Sequence, residues 1–124
     1  MNEATLLLRQ IHPAFVQDGR ITSQAFRPTP KDQCQLSVYD GDLIDGEKAW
    51  IHYTEELALQ SVGVQAVSYT ECTEMELSVH SDPATFPEHA LIDFTGLGKK
   101  TIEKKAKHLR SKAEHRGWLF TANP

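Results

Sequence analysis

The feature that most constrains the fold is an alternation of apolar and polar residues in SVGVQAVSY, residues 61–69, which puts Val62, Val64 and Ala66 on one side. A period of two is typical of a β-strand that buries one face. Three other segments also have the composition of strands: TLLLRQI (5–11), QLSVYDG (35–41) and MELSVH (75–80). Weaker strand candidates are RITSQAF, HALIDF and WLF. Turn signals such as Asp18-Gly19 separate them, so the sequence predicts five or six strands.

Two segments have the period of an α-helix. Between residues 43 and 59, Trp50, Tyr53 and Leu57 are spaced i, i+3, i+7, and Asp45 suits the N-cap. Between residues 100 and 116, Gly117 suits the C-terminal cap, and apolar residues recur at Ile102, Ala106, Leu109 and Ala113. Strands interrupted by two helices predict an α+β domain: a mainly antiparallel sheet of about five or six strands with both helices packed on one face.

Length and composition predict a single domain over residues 1–124, which can bury a core without disulfides or a metal. The longest purely apolar run, residues 6–8, is far too short to cross a membrane, and the N-terminus has no signal-peptide pattern. Cys34 and Cys72 do not form a C-x-x-C pair, so we expect reduced thiols. We therefore expect a cytoplasmic protein with no membrane partner and no cofactor.

The net charge of −4 hides a division of the chain into an acidic part and a basic part. Residues 1–98 hold five Lys or Arg against fifteen Asp or Glu, a net −10, whereas residues 99–124 hold eight against two, a net +6. This asymmetry has two interpretations: the basic end binds an acidic partner, or it pairs with the acidic body of the same molecule.

The stretch TGLGKKTIEKK, residues 95–105, looks most like a motif. A Walker A loop is excluded, because Gly98-Lys99 is followed by Lys100 instead of Ser or Thr. The stretch resembles the hairpin of the helix-hairpin-helix family, whose glycines let backbone amides approach a DNA phosphate, although Ile102 and Lys105 depart from the pattern. The resemblance implies nucleic-acid binding through Gly96, Gly98, Lys99, Lys100, Lys104 and Lys105. The alternative, which we favour, is a strand, a glycine turn and an amphipathic helix with a solvated basic face.

Several polar residues beside apolar or turn-rich segments are candidates for catalysis: Arg9, His12, Ser23, Ser37, His89 and, beside them, Asp32. An Arg can hold an anion, a His moves protons near neutral pH, and a Ser can be activated by a nearby His. If these side chains converge, they predict a small enzyme acting on an anionic, nucleotide-like ligand. The alternative is that each is a satisfied structural group. The six histidines lack the spacing of a zinc site, so we expect no metal.

The run RQIHP…DGRITSQAF…KD…LSV…HA resembles small uncharacterised bacterial proteins of about this length. The resemblance implies a bacterial, cytoplasmic origin, and some such proteins are encoded beside toxin or phage-defence genes. We therefore predict a small binding or accessory protein that recognises a protein partner, of the antitoxin, immunity or phage-defence type. Its acidic body would steer it toward a basic partner. The enzyme and the nucleic-acid-binding protein stay open as alternatives.

Overall fold

The computed structural model describes residues 1–29 and 33–122, and this part of the chain contains eight strands and three α-helices. The strands are β1 Leu6–Gln10, β2 Val16–Gln17, β3 Arg20–Ile21, β4 Gln35–Asp40, β5 Gly63–Ser68, β6 Ser78–Ser81, β7 His89–Asp93 and β8 Phe120–Thr121. The helices are α1 Gly46–Ile51, which continues as a π-helical turn His52–Glu56, α2 Tyr69–Glu74 and α3 Lys99–Arg116. Within these ranges, no helix has the length and apolar character that a membrane span needs.

Six strands form one antiparallel sheet in the order β6-β7-β4-β1-β5-β8. Strands β2 and β3 form a separate two-stranded ribbon. The predicted turn at Asp18-Gly19 joins them, and both of its residues have positive φ, at 53° and 78°. The predicted α+β class with an antiparallel sheet of about six strands is confirmed.

The two long helical segments lie on opposite faces of the sheet, which differs from the expectation that both share one face. Successive residues of a strand point to opposite sides, and in β1 both Leu7 and Leu8 are buried. We call the side of Leu7 the first face and the side of Leu8 the second face. Helix α3 packs on the first face and α1 on the second, because a strand that is apolar on both sides needs a layer on each.

The first face carries the larger core. It contains side chains of β1, β4, β5 and β7 together with the inner face of α3, and its largest members are Phe26, Phe94, Leu7, Ile11, Leu77, Ile92 and Leu109. The second core is smaller and lies under α1; its buried members are Leu8, Tyr39, Ala49, Val64 and Ala66. Helix α1 covers only part of the second face, and the residues of β4 and β7 beyond it border open space, where Ser37 is exposed.

Local signals explain where the helices begin and end. The Asp45 side chain accepts a hydrogen bond from the Lys48 N–H at 2.8 Å, so Asp45 is the N-cap of α1 as predicted. Gly117 ends α3 with φ 89°, a conformation that glycine adopts without strain. Helix α2 is absent from the predictions, although Ser68 and Glu71 form a capping box that is visible in the sequence.

Glu71 joins α2 to α3, because Arg116 donates to both of its carboxylate oxygens at 3.0 and 3.1 Å. Burial alone would raise the pKa of the Glu71 carboxyl, but the hydrogen bonds from Arg116 and from the Ser68 N–H outweigh burial and hold the pKa below its usual value of 4.5. A lowered pKa in the folded state stabilises the protein above the unfolded-state pKa, and this stabilisation is lost as the pH falls through the folded-state value.

We therefore expect Glu71→Gln to lower the free energy of unfolding at pH 7 by on the order of 1 kcal/mol. The difference from wild type should shrink as the pH falls below about 4.5, where the unfolded state takes up the proton first. It should be lost below the folded-state pKa, where the folded wild-type carboxyl is protonated as well. Urea-denaturation curves at neutral and acidic pH measure both quantities. Glu74→Gln, at an exposed position of the same helix, is the matched control and should change little. A difference that stays constant into acid would contradict the prediction.

Candidate functional site

A groove of about 360 Å³ opens on the second face, where α1 stops covering the sheet. Its floor comes from β1, β4 and β7, and its two walls are the segment 53–59 and the loop before β7. Pairing in the sheet explains the floor: Leu8 lies opposite Tyr39, and Tyr39 lies opposite His89. Ser37 is two residues from Tyr39 in β4 and shares its face, so it reaches the groove as well.

Phe86 is the centre of an aromatic cluster at the edge of this groove. Its ring centroid lies 5.1 Å from Tyr39, 4.6 Å from His52 and 4.9 Å from His89. Tyr39 and His52 also meet edge to face at 5.6 Å. Aromatic rings at these separations attract one another beyond the burial of their area. The cluster is therefore a wall of flat side chains in mutual contact.

A carboxylate holds His89 in place. The Asp82 Oδ2 atom lies 2.9 Å from His89 Nδ1 and accepts a second hydrogen bond from the Thr85 hydroxyl at 2.6 Å. The hydrogen bonds from Thr85 and His89 hold the pKa of Asp82 below its usual value, so Asp82 is an anion at neutral pH. Nδ1 therefore carries the proton that faces Asp82, and Nε2, which has no hydrogen bond within the described residues, is left for another partner.

A second carboxylate–histidine pair orients Tyr39. The Tyr39 hydroxyl lies 2.7 Å from His52 Nδ1, and His52 Nε2 lies 3.3 Å from Glu56. Burial, and then the negative charges around the hydroxyl, raise the pKa of Tyr39 well above its usual value of 10.0. The phenol is therefore protonated and donates to Nδ1, while Nε2–H points to Glu56. Each of the two histidine rings beside Phe86 is thus held by a carboxylate.

Gln10 is the residue of the floor whose hydrogen bonds are incomplete. Its side chain is only 6% exposed, and its Nε2 donates to the Ala49 carbonyl of α1 at 3.0 Å. Its Oε1 is buried and has no hydrogen-bond partner within the described residues. A buried acceptor without a donor costs about 1–3 kcal/mol. Nothing in the local sequence predicts this position, because the amide is placed by the packing of α1 on β1.

The backbone beside the groove is irregular. The last turn of the α1 segment, His52–Glu56, is π-helical, and such turns occur frequently at functional sites. Ala58, between two residues that line the groove, has φ 55°, which is costly for any residue with a Cβ. The wall of the groove thus contains both a π-helical turn and a residue with an unfavourable backbone conformation.

The predicted catalytic residues do not converge on one place. Ser37 and His89 share the groove. Arg9 borders it too, but it alternates with Leu8, and its guanidinium donates to the carbonyls of Ala25 and Ser37, at 2.7 and 2.9 Å. His12 caps the turn Pro13–Phe15 by accepting from the Ala14 N–H, and Ser23 lines a different cavity beside α3. Asp32 lies outside the described residues. The Arg/His/Ser cluster expected for an anionic ligand is therefore split between three places.

The glycine stretch is a strand, a turn and a helix, as favoured above. Strand β7 precedes the turn where a helix-hairpin-helix needs a helix, so that hairpin is not formed. Gly96 has φ 86° in the turn, and Gly98 is the N-cap of α3. Lys99, Lys100 and Lys104 are exposed, but Lys105 turns inward and donates to the Met75 carbonyl.

Internal pairing accounts for part of the basic charge of α3. Arg116 pairs with Glu71, and Arg110 and Arg20 pair with Glu114. Of the basic side chains on the inner edges of α3, Arg116 is therefore neutralised, whereas Arg110 shares the single carboxylate of Glu114 with Arg20. The outward ones, which are Lys99, Lys100, Lys104, Lys107 and Lys112, are exposed and form a basic surface.

Thiol and metal chemistry find little support among the described residues. Cys34 and Cys72 are both free, as expected, and burial raises the pKa of the Cys72 thiol to about 12. Such a thiol is protonated at neutral pH and is a poor nucleophile. Within residues 1–29 and 33–122, no three His, Cys, Asp or Glu side chains come together as metal ligands.

A second feature lies next to the groove, on and around α1. Seven large apolar side chains are exposed in the described chain, and five of them are on this side: Leu43, Ile51, Leu57, Leu59 and Leu119. Leu119 belongs here because its Cβ lies beside Gly46 at the start of α1. The same segment exposes five carboxylates, Asp42, Asp45, Glu47, Glu55 and Glu56, against one cation, Lys48. We call these residues together the α1 surface.

No family model matches the chain, and no curated protein and no solved structure has significant similarity to it. Its function has therefore to be inferred from its own residues.

Tyr39 should ionise only far above pH 10, because it is buried beside carboxylates. We expect Tyr39→Phe and wild type to have the same phenolate absorbance in an alkaline titration up to about pH 11. In concentrated urea the unfolded wild type should gain one more phenolate than the variant near pH 10, which is the internal control. A deficit of one phenolate in the folded variant near pH 10 would show that Tyr39 is not shielded.

Proposed function

We propose that the chain is a small binding protein that recognises a basic protein partner through the α1 surface. The observation that carries this proposal is the crowding of five of the seven exposed large apolar side chains on one side of the molecule. Scattered apolar side chains are normal on a protein surface, whereas their concentration marks an interaction site. The five side chains are between 37% and 60% exposed, so a partner would remove a substantial apolar area from water.

The charges of the α1 surface support a basic partner. Five exposed carboxylates and a single lysine accompany the apolar side chains, so the surface combines apolar contacts with a negative rim. A surface of one sign attracts a partner of the opposite sign and raises the rate of association. An antitoxin, immunity or phage-defence role is the form of this function that the sequence resemblance implies, and it belongs to the same proposal.

Ile51→Asp tests the proposal. Ile51 lies at the end of α1 and is 38% exposed, so a charge there should leave the fold intact and weaken the apolar contact with a partner. We expect the dissociation constant of the complex with a protein encoded by a neighbouring gene to rise by about tenfold or more. Co-expression, purification of the complex and surface-plasmon measurements give this value, and association should slow as salt is added.

Ser111→Asp is the matched control, because Ser111 is exposed on α3, on the opposite face of the sheet. It should bind the partner as wild type does. If Ile51→Asp and Ser111→Asp bind the partner equally well, the α1 surface is not the docking site.

Nucleic-acid binding is a second candidate function, and the exposed lysines of α3 favour it. Beside them, a cavity of about 500 Å³ lies between α3 and the β2–β3 ribbon, lined by Arg20, Lys107 and Arg110 together with the side chains of Thr22 and Ser23. The Thr22 hydroxyl is buried and has no hydrogen-bond partner among the described residues. Cations beside a hydroxyl suit a phosphate group of a nucleic-acid backbone.

Substitution of Lys104 and Lys107 by Glu should abolish such binding, since phosphate contacts supply most of the affinity. Fluorescence anisotropy of labelled duplex and single-stranded DNA and RNA should show wild-type binding that weakens steeply with salt. Lys48→Glu, on the opposite face, is the control and should bind as wild type does. The absence of wild-type binding at low salt would remove this candidate.

A further inference from the structure

The groove beside the α1 surface contains polar and aromatic groups that an apolar protein contact would not require. Gln10 lines the groove, and its side-chain carbonyl oxygen is buried and lacks a donor within the described residues. Its Nε2 is already committed to the Ala49 carbonyl, so the amide cannot turn to satisfy the oxygen from within. A group that enters the groove with an N–H would complete this hydrogen bond.

The walls of the groove suit a planar group. Phe86, Tyr39 and His89 form a continuous set of rings, and Tyr53 faces them from the π-helical turn. Leu8 and Leu57 supply apolar surface that can cover an aliphatic stem. Planar groups stack on such rings, and planar cations do so most strongly.

The electrostatics of the groove favour a positive group over an anion. Asp82 stands behind His89, and Glu56 stands behind His52. Glu88 and Glu56 contribute to the raised pKa of Tyr39, after burial and Tyr53, so their negative field reaches the Tyr39 hydroxyl. Arg9 also lines the groove and keeps its positive charge, but the Ala25 and Ser37 carbonyls hold its guanidinium, and the three carboxylates outnumber it.

We propose that the groove receives an arginine side chain of the basic partner, with its guanidinium against the rings and an N–H donated to Gln10 Oε1. This inference rests on the proposed recognition of a partner through the α1 surface. Leu57 and Leu59 belong both to the groove and to that surface, so an arginine at the centre of the partner's contact reaches the groove directly. Lysine fits less well, because its ammonium is compact, strongly hydrated and not planar. Buried arginines are among the residues that contribute most to protein interfaces.

Titration of the ¹⁵N-labelled protein with N-acetyl-arginine amide, followed by NMR, tests the chemistry without the partner. The citrulline analogue has nearly the same shape without the charge, and the lysine analogue has the charge without the planar group. We expect the arginine compound to bind about tenfold more tightly than either analogue, with shifts at Gln10, Ser37 and His89. Equal binding of the three compounds, or shifts confined to other residues, would overturn the inference.

Two variants and a matched control locate the site. Gln10→Leu removes the unpartnered oxygen, and Phe86→Leu keeps an apolar wall but removes the ring, so each should abolish the preference for arginine. Gln65→Leu is the control: Gln65 is 3% exposed and also has a buried, unpartnered Oε1, but it lies in β5 on the other face. It should bind the arginine compound as wild type does, and loss of binding in all three variants would count against the groove.

The same variants separate this inference from the proposed function. If partner binding falls with Gln10→Leu and Phe86→Leu as it does with Ile51→Asp, the arginine anchor is supported. If Ile51→Asp abolishes partner binding and the two groove variants leave it unchanged, the α1 surface stands and the arginine anchor is overturned. If Ile51→Asp has no effect on the partner, the docking surface itself is wrong, and the anchor that rests on it is overturned too.

Discussion

The burial of β1 on both sides is the constraint on which the rest of the structure depends. β1 lies between β4 and β5 in the sheet, with Leu7 buried on one face and Leu8 on the other. Two apolar side chains in succession cannot both point into a single layer, so the sheet must be covered twice. Helix α3, α2 and the turn at Ser23–Phe26 cover the first face, and α1 covers part of the second. The uncovered remainder of the second face is the groove.

Much of this fold follows from short-range patterns. The alternation in residues 61–69 predicts β5, the period of residues 102–113 predicts α3, and Asp45 and Gly117 mark helix ends, because each signal acts within a few residues. The face of the sheet on which each helix packs is not determined by local sequence. They depend on which strands are neighbours, and a sequence pattern does not show that α1 follows β4 across the second face while α3 returns to the first. Helix α2 was missed for a different reason: six residues are too few to repeat a helical apolar period, and only its capping box is visible in the sequence.

The candidate site was predictable only in part. Ser37 and His89 share the groove because β4 and β7 are neighbours and Tyr39 is opposite His89, a pairing that joins residues about fifty positions apart in the chain. Arg9 borders the same groove, but its guanidinium donates to the backbone carbonyls of Ala25 and Ser37. His52 and Gln10 were not singled out, since each gains its role from a contact with another element. Single polar residues in a sequence indicate chemistry only once the strand register is known.

The two faces of the sheet separate the charges of the chain, and this separation limits how partners can bind. Arg116 is neutralised by Glu71, and Arg110 shares Glu114 with Arg20, so part of the charge on the inner edges of α3 is paired within the molecule. What remains outside is a lysine surface on the first face and a carboxylate surface around α1 on the second. Because the sheet stands between them, a basic partner on α1 and a polyanion on α3 would not compete for the same residues. Binding of the basic partner should therefore leave the lysine surface accessible, and binding of the polyanion should leave the α1 surface accessible. If the whole basic end were paired with the acidic body, neither charged surface would be free to bind a partner.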